Sequence, residues 1–367
     1  MTCGARARIL PDALRHNLLQ VRKRASGCRI MAAIKGNAYG HGLLTAARSF
    51  ADADSLAIAR LSEAATLRSA GMTHALVLLP GISSADELRQ AALLQCEIVV
   101  HSAAQLPLLA DFAGTPFVVW LKVDTGMQRL GFRVEDCAPV IAELRAMKGV
   151  REVRLMTHLA RADEPSENMT LAQVDCFRSL TGGFEGAISI ANSAALFDAD
   201  INFAESAPWG HSGDNWVRPG IALYGISPFQ DRCGSELGLR PAMEFETRLL
   251  DNKRVHAGST VGYGGHWRAE TDTCIGIIAA GYGDGYSRFL PSGTPVLVNG
   301  RRVPLAGTVS MDLAAVDLGP GATDRVGDPV LLWGAELPVE EVARHAGTIA
   351  YQLVTGVMHR EEPAIGN

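Results

Sequence analysis

Two lysines stand where apolar runs end, and that placement is the first chemical signal in the chain. Lys35 follows RIMAAI (29–34) directly, within AAIKGNAYGHG, and Lys122 lies at the end of FVVWLKV (117–123), within LKVDTGMQRLGF. Lysine is rarely fully buried without a partner, so neither position reads as ordinary solvated surface. An amine held among apolar groups has a lowered pKa, and its free base adds to carbonyl carbons. Two further runs end on polar groups: VRLMTH on His158, and AISIAN on Asn192, with Ser193 next. Ser193 in IANSAAL and Gly220 in VRPGIALYG offer a hydroxyl and an unobstructed backbone, from which an N–H cradle for phosphate can be built. A reactive Lys35 together with a phosphate cradle describes a Schiff-base enzyme that uses pyridoxal 5'-phosphate.

These positions need a scaffold that gathers strand ends. Candidate strands are RIMAAI (29–34), SLAIA (55–59), ALVLL (75–79), EIVV (97–100), FVVWLKV (117–123), VRLMTH (153–158), AISIAN (187–192) and VRPGIALYG (217–225). Between them, segments such as LSEAATLRSAG and SADELRQAALL repeat apolar residues at i, i+3 and i+4. Near-continuous apolar strands alternating with helices predict a parallel sheet, and these eight units fit a (β/α)8 barrel, whose active sites collect at the C-terminal strand ends. After Pro228 the chain changes to alternating strands separated by Gly, Asn-Gly and Asp turns, with little helical periodicity before Pro338 to Ala346. The predicted fold is α/β: an N-terminal TIM barrel over 1–228 that binds the cofactor, then a mostly β domain over 229–367. The opening segment is assigned no strand.

Composition narrows the function classes. The 367 residues exceed the roughly 250–300 that one core sustains, which agrees with two domains. Apolar residues make up 47% and charged residues 20%, typical of a globular chain and unlike a disordered one. The net charge of −5 and the lack of a basic stripe with interleaved aromatics argue against nucleic acid as a partner. No apolar stretch approaches the roughly 18 residues of a membrane span, and the first residues carry no apolar signal region. Seven cysteines occur singly, without the clustered spacing of a zinc site, so free thiols, no metal and a cytoplasmic enzyme are expected.

The ordered series AAIKGNAYGHG, LKVDTGMQRLGF, THLARAD, IANSAA, VRPGIALYG, TVGYGG, GYGDGY and GTVSMD resembles the motif series of alanine racemases, pyridoxal phosphate-dependent enzymes of fold type III. It spans most of the chain. The resemblance implies that Lys35 carries the cofactor and acts as base on one face of the bound amino acid, with Tyr263 as the second acid/base on the other. Tyr263 lies in the β domain and, in this family, reaches the barrel of the other subunit, so a homodimer with shared sites is implied. The same resemblance assigns cofactor contacts to Tyr39, His158, Asn192, Ser193, Arg218, Gly220, Ile221 and Tyr351, with Arg218 facing the pyridine nitrogen. Arg129 and the backbone N–H of Met311 would hold the substrate carboxylate. Lys122 matches a lysine that is commonly carbamylated, and Asp163, Tyr282 and Arg288 match entrance residues. L-alanine and D-alanine are the implied substrates.

The chain departs from the family pattern at four places: its opening segment lacks the family's common aromatic-acidic strand, which leaves open whether it joins the β domain, and three more departures lie further on. Thr308 stands where Arg is frequent, Gln128 stands where Gly is usual, and FAESAPWGHSGDN (203–215) is longer than the usual connection. A racemase of wider amino-acid range would share every residue named. A non-catalytic cofactor-binding barrel would have no use for Tyr263 or the β domain. A metal-dependent hydrolase with a carbamylated lysine would need paired histidines after the first strand, where only His41 occurs.

Overall fold

A computed structural model describes residues 4–164, 168–198, 214–358 and 364–365. Most of positions 203–215, expected as an insertion, lies outside the described residues. Two compact units emerge: one over Asn17–Ala38 and Leu43–Leu223, the other built from the opening segment, Tyr39–Gly42 and the chain from Tyr224 onward.

The chain opens with β1 (Arg6–Ile9), which belongs to the second unit. The first unit then contributes β2 (Arg29–Ala33), β3 (Ser55–Ile58), β4 (Ala75–Leu78), β5 (Cys96–Val100), β6 (Phe117–Asp124), β7 (Val150–Met156), β8 (Ile188–Ser189) and β9 (Asn215–Val217). Each pairs in parallel with the next, and β9 pairs with β2, so the sheet closes on itself. Leu56, Ala57, Ile58, Val119, Trp120 and Leu121 are fully buried, as expected for strands covered on both faces. The helix Ala85–Leu93 between β4 and β5 begins where the Ser84 hydroxyl accepts the Glu87 N–H, with Asp86 and Glu87 in its first turn. This is the expected TIM barrel.

Two local readings are corrected. VRPGIALYG is strand only up to Val217, because Pro219 has no N–H for a ladder; Ile221–Tyr224 then turns as a 3-10 helix. The opening segment does carry a strand: RARI alternates, burying Ala7 and Ile9, and pairs antiparallel with Met243–Glu246. Residues 6–9 are therefore built into the β sheet, not the barrel over 1–228.

In the second unit the long β10 (Met243–Val255) is the hub, pairing antiparallel with β1, β11 (Thr273–Ile278) and β15 (Pro329–Trp333). β12 (Pro295–Val298) and β13 (Arg301–Pro304) form a hairpin through Asn299-Gly300, both at positive φ, the geometry the Asn-Gly pair predicts. β14 (Ala314–Asp317) pairs with β11. Phe245 and Trp333 pack with ring centroids 4.5 Å apart, and the Trp333 indole N–H points at Met243 Sδ at 3.5 Å.

Gly225 shows how closely this unit is packed. Its φ is +82°, and a Cβ there would lie 1.8 Å from the Arg240 carbonyl oxygen. Gly225→Ala is expected to lose about 2 kcal/mol or more of stability from left-handed strain and overlap together. Denaturant unfolding checks this; a loss below about 0.5 kcal/mol would contradict the packing described.

Candidate active site

The C-terminal ends of the barrel strands bring together an excess of basic groups. Lys35 lies two residues past the end of β2, Lys122 lies near the end of β6, His158 follows β7, and Arg218 follows β9. Arg129 sits on the loop after β6, which returns to pair Phe132–Arg133 beside Val123–Asp124. That return needs Gly131: its φ is +129°, and a Cβ would lie 2.7 Å from the Asp124 nitrogen. The glycine of LKVDTGMQRLGF is thus a close-approach residue that positions Arg129.

The lysines are less enclosed than the sequence suggested. Lys35 is exposed as a residue and Lys122 is half-buried. Even so, partial desolvation, then Arg129 and Arg218, hold the Lys35 amine below the ordinary lysine range, opposed by Glu63. Lys122 is pulled down to about 8 by burial first, then by Arg218, Arg129 and Lys35, with Asp124 opposing. Arg218 is 8% exposed, and burial lowers it to about 10, so it stays charged at neutral pH. The His158 imidazole lies well below its usual value because burial and the same cations disfavour a further positive charge.

Uncharged acceptors fix Arg218. Its Nη1 donates to Ser189 Oγ at 2.6 Å; Nη2 donates to the Thr157 carbonyl and to His158 Nδ1 at 3.3 Å. Ser189 Oγ donates to the Trp216 carbonyl at 2.8 Å, which turns its lone pairs toward the guanidinium. Because Nδ1 faces a donor that cannot give up its role, neutral His158 carries its proton on Nε2. Gln173 supports the same loop: Nε2 donates to the His158 carbonyl at 3.0 Å and to Thr125 Oγ1 at 3.2 Å, and Oε1 accepts from the Ala160 N–H at 2.9 Å. Thr125 and Thr157 hydroxyls lie 2.8 Å apart. Sequence reasoning missed Ser189, Thr157 and Gln173; for the first two the available signal was a hydroxyl at an otherwise apolar strand end, whereas Gln173, on the helix Met169–Thr181, carried none.

The residues expected to hold phosphate also converge. Ser193 Oγ accepts the N–H groups of Gly220 at 2.9 Å and Ala222 at 3.3 Å, on either side of Ile221. Asn192 Oδ1 accepts the Ala195 N–H at 3.0 Å and caps the turn that presents Ser193. With both N–H groups on its oxygen, the Ser193 hydroxyl is left to donate its own proton outward, and together with the surplus of cations at these strand ends this suits an anionic phosphate and a carboxylate ligand. The residues present therefore fit pyridoxal phosphate. Asp163 is half-buried on the loop after His158.

The remaining predicted residues fall in the second unit. Tyr39 is buried, stacked on Tyr224 at 4.8 Å and 6.1 Å from the ring of Tyr351; burial pushes its hydroxyl up to about 12. Tyr263 is 65% exposed between Gly262 and Gly264, both at positive φ. Arg288 lies 5.9 Å from the ring centres of both Tyr263 and Tyr282 and donates to the Val309 carbonyl at 3.0 Å. The exposed Met311 has its carbonyl held by the Gly283 N–H at 2.8 Å. Gly281 permits this approach, since a Cβ there would lie 2.2 Å from Met311 O. Two of the departures have local consequences: Gln128 adopts φ +55°, where glycine is unstrained, and the Thr308 hydroxyl reaches the Tyr263 carbonyl at 3.4 Å.

Comparison with known proteins gives this arrangement a family. The alanine racemase N-terminal domain model matches residues 9–228, and the C-terminal domain model matches 242–364. Alanine racemase of Shewanella baltica (strain OS185) is 48% identical over 97% of this chain and 97% of its own length. That of Vibrio cholerae serotype O1 is 47% identical over 98% and 97%. Among solved structures, biosynthetic alanine racemase from Pseudomonas aeruginosa superposes with a TM-score of 0.93 at 41% identity, covering 100% of both chains. The chain belongs to the alanine racemase family.

Proposed function

We propose that this chain interconverts L-alanine and D-alanine as a pyridoxal phosphate-dependent isomerase, working as a cytoplasmic homodimer with shared active sites. The observation that carries the reading is the Lys35 amine at a barrel mouth, its proton loosened by desolvation first and then by Arg129 and Arg218. When bound, the cofactor withdraws electrons from the amino acid and makes its α-proton acidic. The chain's own residues govern where that proton goes. Lys35 Nζ, with its lowered pKa, takes or returns it on one face. The Tyr263 hydroxyl, contributed by a partner subunit, serves the other face, which its exposure on the β unit supports. Arg218 offers only N–H donors and keeps its proton, so it does not protonate a ring nitrogen placed against it. Electron withdrawal is then restrained, and the proton returns to the same carbon in preference to side reactions.

Arg129 and the Met311 N–H bind the substrate carboxylate in this reading. Asn192, Ser193, Gly220, Ile221, Tyr39 and Tyr351 hold the cofactor, and Asp163, Tyr282 and Arg288 line the entrance. The shared site is tested by mixing Lys35→Ala and Tyr263→Phe proteins, each inactive in L-alanine racemisation. Subunit exchange should restore roughly one quarter of wild-type activity, because half of randomly formed dimers hold one intact site. No recovery after confirmed exchange would exclude shared sites.

Lys122 supplies two more tests. As a free amine it crowds Lys35, Arg129 and Arg218; as a carbamate it becomes an anion among them, so its low pKa favours reaction with carbon dioxide. Intact mass of the native protein should carry one added CO2, absent in Lys122→Met. In CO2-free buffer without cofactor, the unmodified folded chain releases this proton at about 8, against 10.5 for an ordinary lysine. Between those values the unfolded chain binds more protons, so stability rises with pH, by at most about 3 kcal/mol. Unfolding curves of wild type and Lys122→Met across pH 8 to 10.5 should differ by that slope; parallel curves would refute the environment described for Lys122.

A further inference from the structure

Glu63 has no part in the chemistry above, yet its carboxylate joins two elements of the barrel. It lies in the first turn of the helix Leu61–Ser69 after β3. Oε2 accepts the N–H groups of Ala59 at 2.8 Å and Arg60 at 3.1 Å, closing that helix end. Oε1 accepts the Gly36 N–H at 2.9 Å, at the end of the neighbouring strand.

The backbone held there is strained. Gly36, Asn37 and Ala38 follow one another at φ 64°, 51° and 54°. Left-handed geometry costs a residue with a side chain roughly 1–2 kcal/mol, so such a run persists only where its surroundings over-determine it. Within this unit the contacts that do so include Glu63 on Gly36, Asn37 Oδ1 accepting the Leu43 N–H at 2.9 Å, and the Ala38 N–H donating to the Ile34 carbonyl at 2.8 Å. Lys35 is the residue immediately before the turn. The charged groups facing Lys35 are Arg129, Arg218, Lys122 and Glu63, with His158 near them. Glu63 is the one among these that favours the protonated amine.

We propose that Glu63 is a positioning residue for Lys35: its carboxylate fixes the left-handed turn that aims the amine and supplies a counter-charge to the surrounding cations. The proposal rests on Lys35 being the cofactor lysine. A plain helix cap would share the Ala59 and Arg60 bonds but would leave Lys35 indifferent to Glu63.

The test uses the holoenzyme of wild type, Glu63→Ala, Glu63→Gln and a cap control elsewhere, Ser84→Ala. Borohydride reduction with peptide mapping first locates the cofactor in wild type. Then kcat and KM for alanine, cofactor release on dilution, melting temperature and the pH titration of the bound cofactor's visible absorbance are compared. Glu63→Ala should lower kcat about tenfold or more with KM within about threefold, speed cofactor release by about tenfold, and move the absorbance titration to lower pH. Glu63→Gln retains one acceptor for Gly36, so it should recover cofactor retention but not the titration. Ser84→Ala should lower only the melting temperature. If Glu63→Ala behaves like Ser84→Ala, Glu63 is a cap and the proposal fails. If Glu63→Ala does not fold, an unshifted titration in Glu63→Gln overturns it equally. A label away from Lys35 in wild type would overturn the cofactor assignment itself, and this inference with it.

Discussion

Gathering Lys35, Lys122, Arg129 and Arg218 around one barrel mouth sets like charges against each other where water is partly excluded. The two carboxylates that oppose them, Asp124 and Glu63, do not balance the set. The protein meets this burden in two ways. The lysines are pushed toward their neutral forms, and Arg218, which stays charged, is surrounded by neutral acceptors: a serine hydroxyl, a carbonyl and an imidazole nitrogen. What remains is a field that favours anions. A phosphate and a carboxylate bound there relieve repulsion, so binding free energy and folding free energy are linked through the same side chains.

That field is useful only if the donors stay in place, and much of the surrounding sequence serves that end. Gly131 and Gly281 do so by having no side chain, letting the Arg129 loop lie on β6 and the Gly281–Gly283 segment lie on Met311. Gln173 and the paired hydroxyls of Thr125 and Thr157 do so by satisfying one another while gripping the His158 loop. Each of these polar groups is buried, and losing one partner would leave another unsatisfied, so the network is held as a whole. The site therefore rests on strand ends and short, fully bonded loops.

This division explains which parts could be read from the sequence. The eight barrel strands were legible because both faces are covered, which leaves runs of apolar residues, and the polar residues at the ends of four of those runs marked the site. RARI was overlooked because two arginines mask its alternation, although Ala7 and Ile9 face the core. VRPGIALYG was read as too long a strand because its apolar residues continue through a 3-10 turn, which hydrophobicity alone does not separate from a strand. Lys35 and Arg218 stand out by motif. Ser189, Gln173 and Glu63 are ordinary polar residues in sequence, and their importance lies in partners 13 to 48 positions away.

The same environment limits which groups on the barrel side can respond to pH. His158 is held neutral by burial and then by its cationic neighbours, and its Nδ1 is occupied by an Arg218 donor, so it cannot serve as a proton reservoir near neutrality. Arg218, lowered only to about 10, keeps its proton throughout. Proton exchange on this face therefore falls to the lysines. Lys122 faces the same cations as Lys35, so converting it from a cation to an anion would raise the proton affinity of Lys35. The Lys35 amine is thereby coupled to the state of Lys122, and a change made at one lysine is felt at the other without any movement of the barrel.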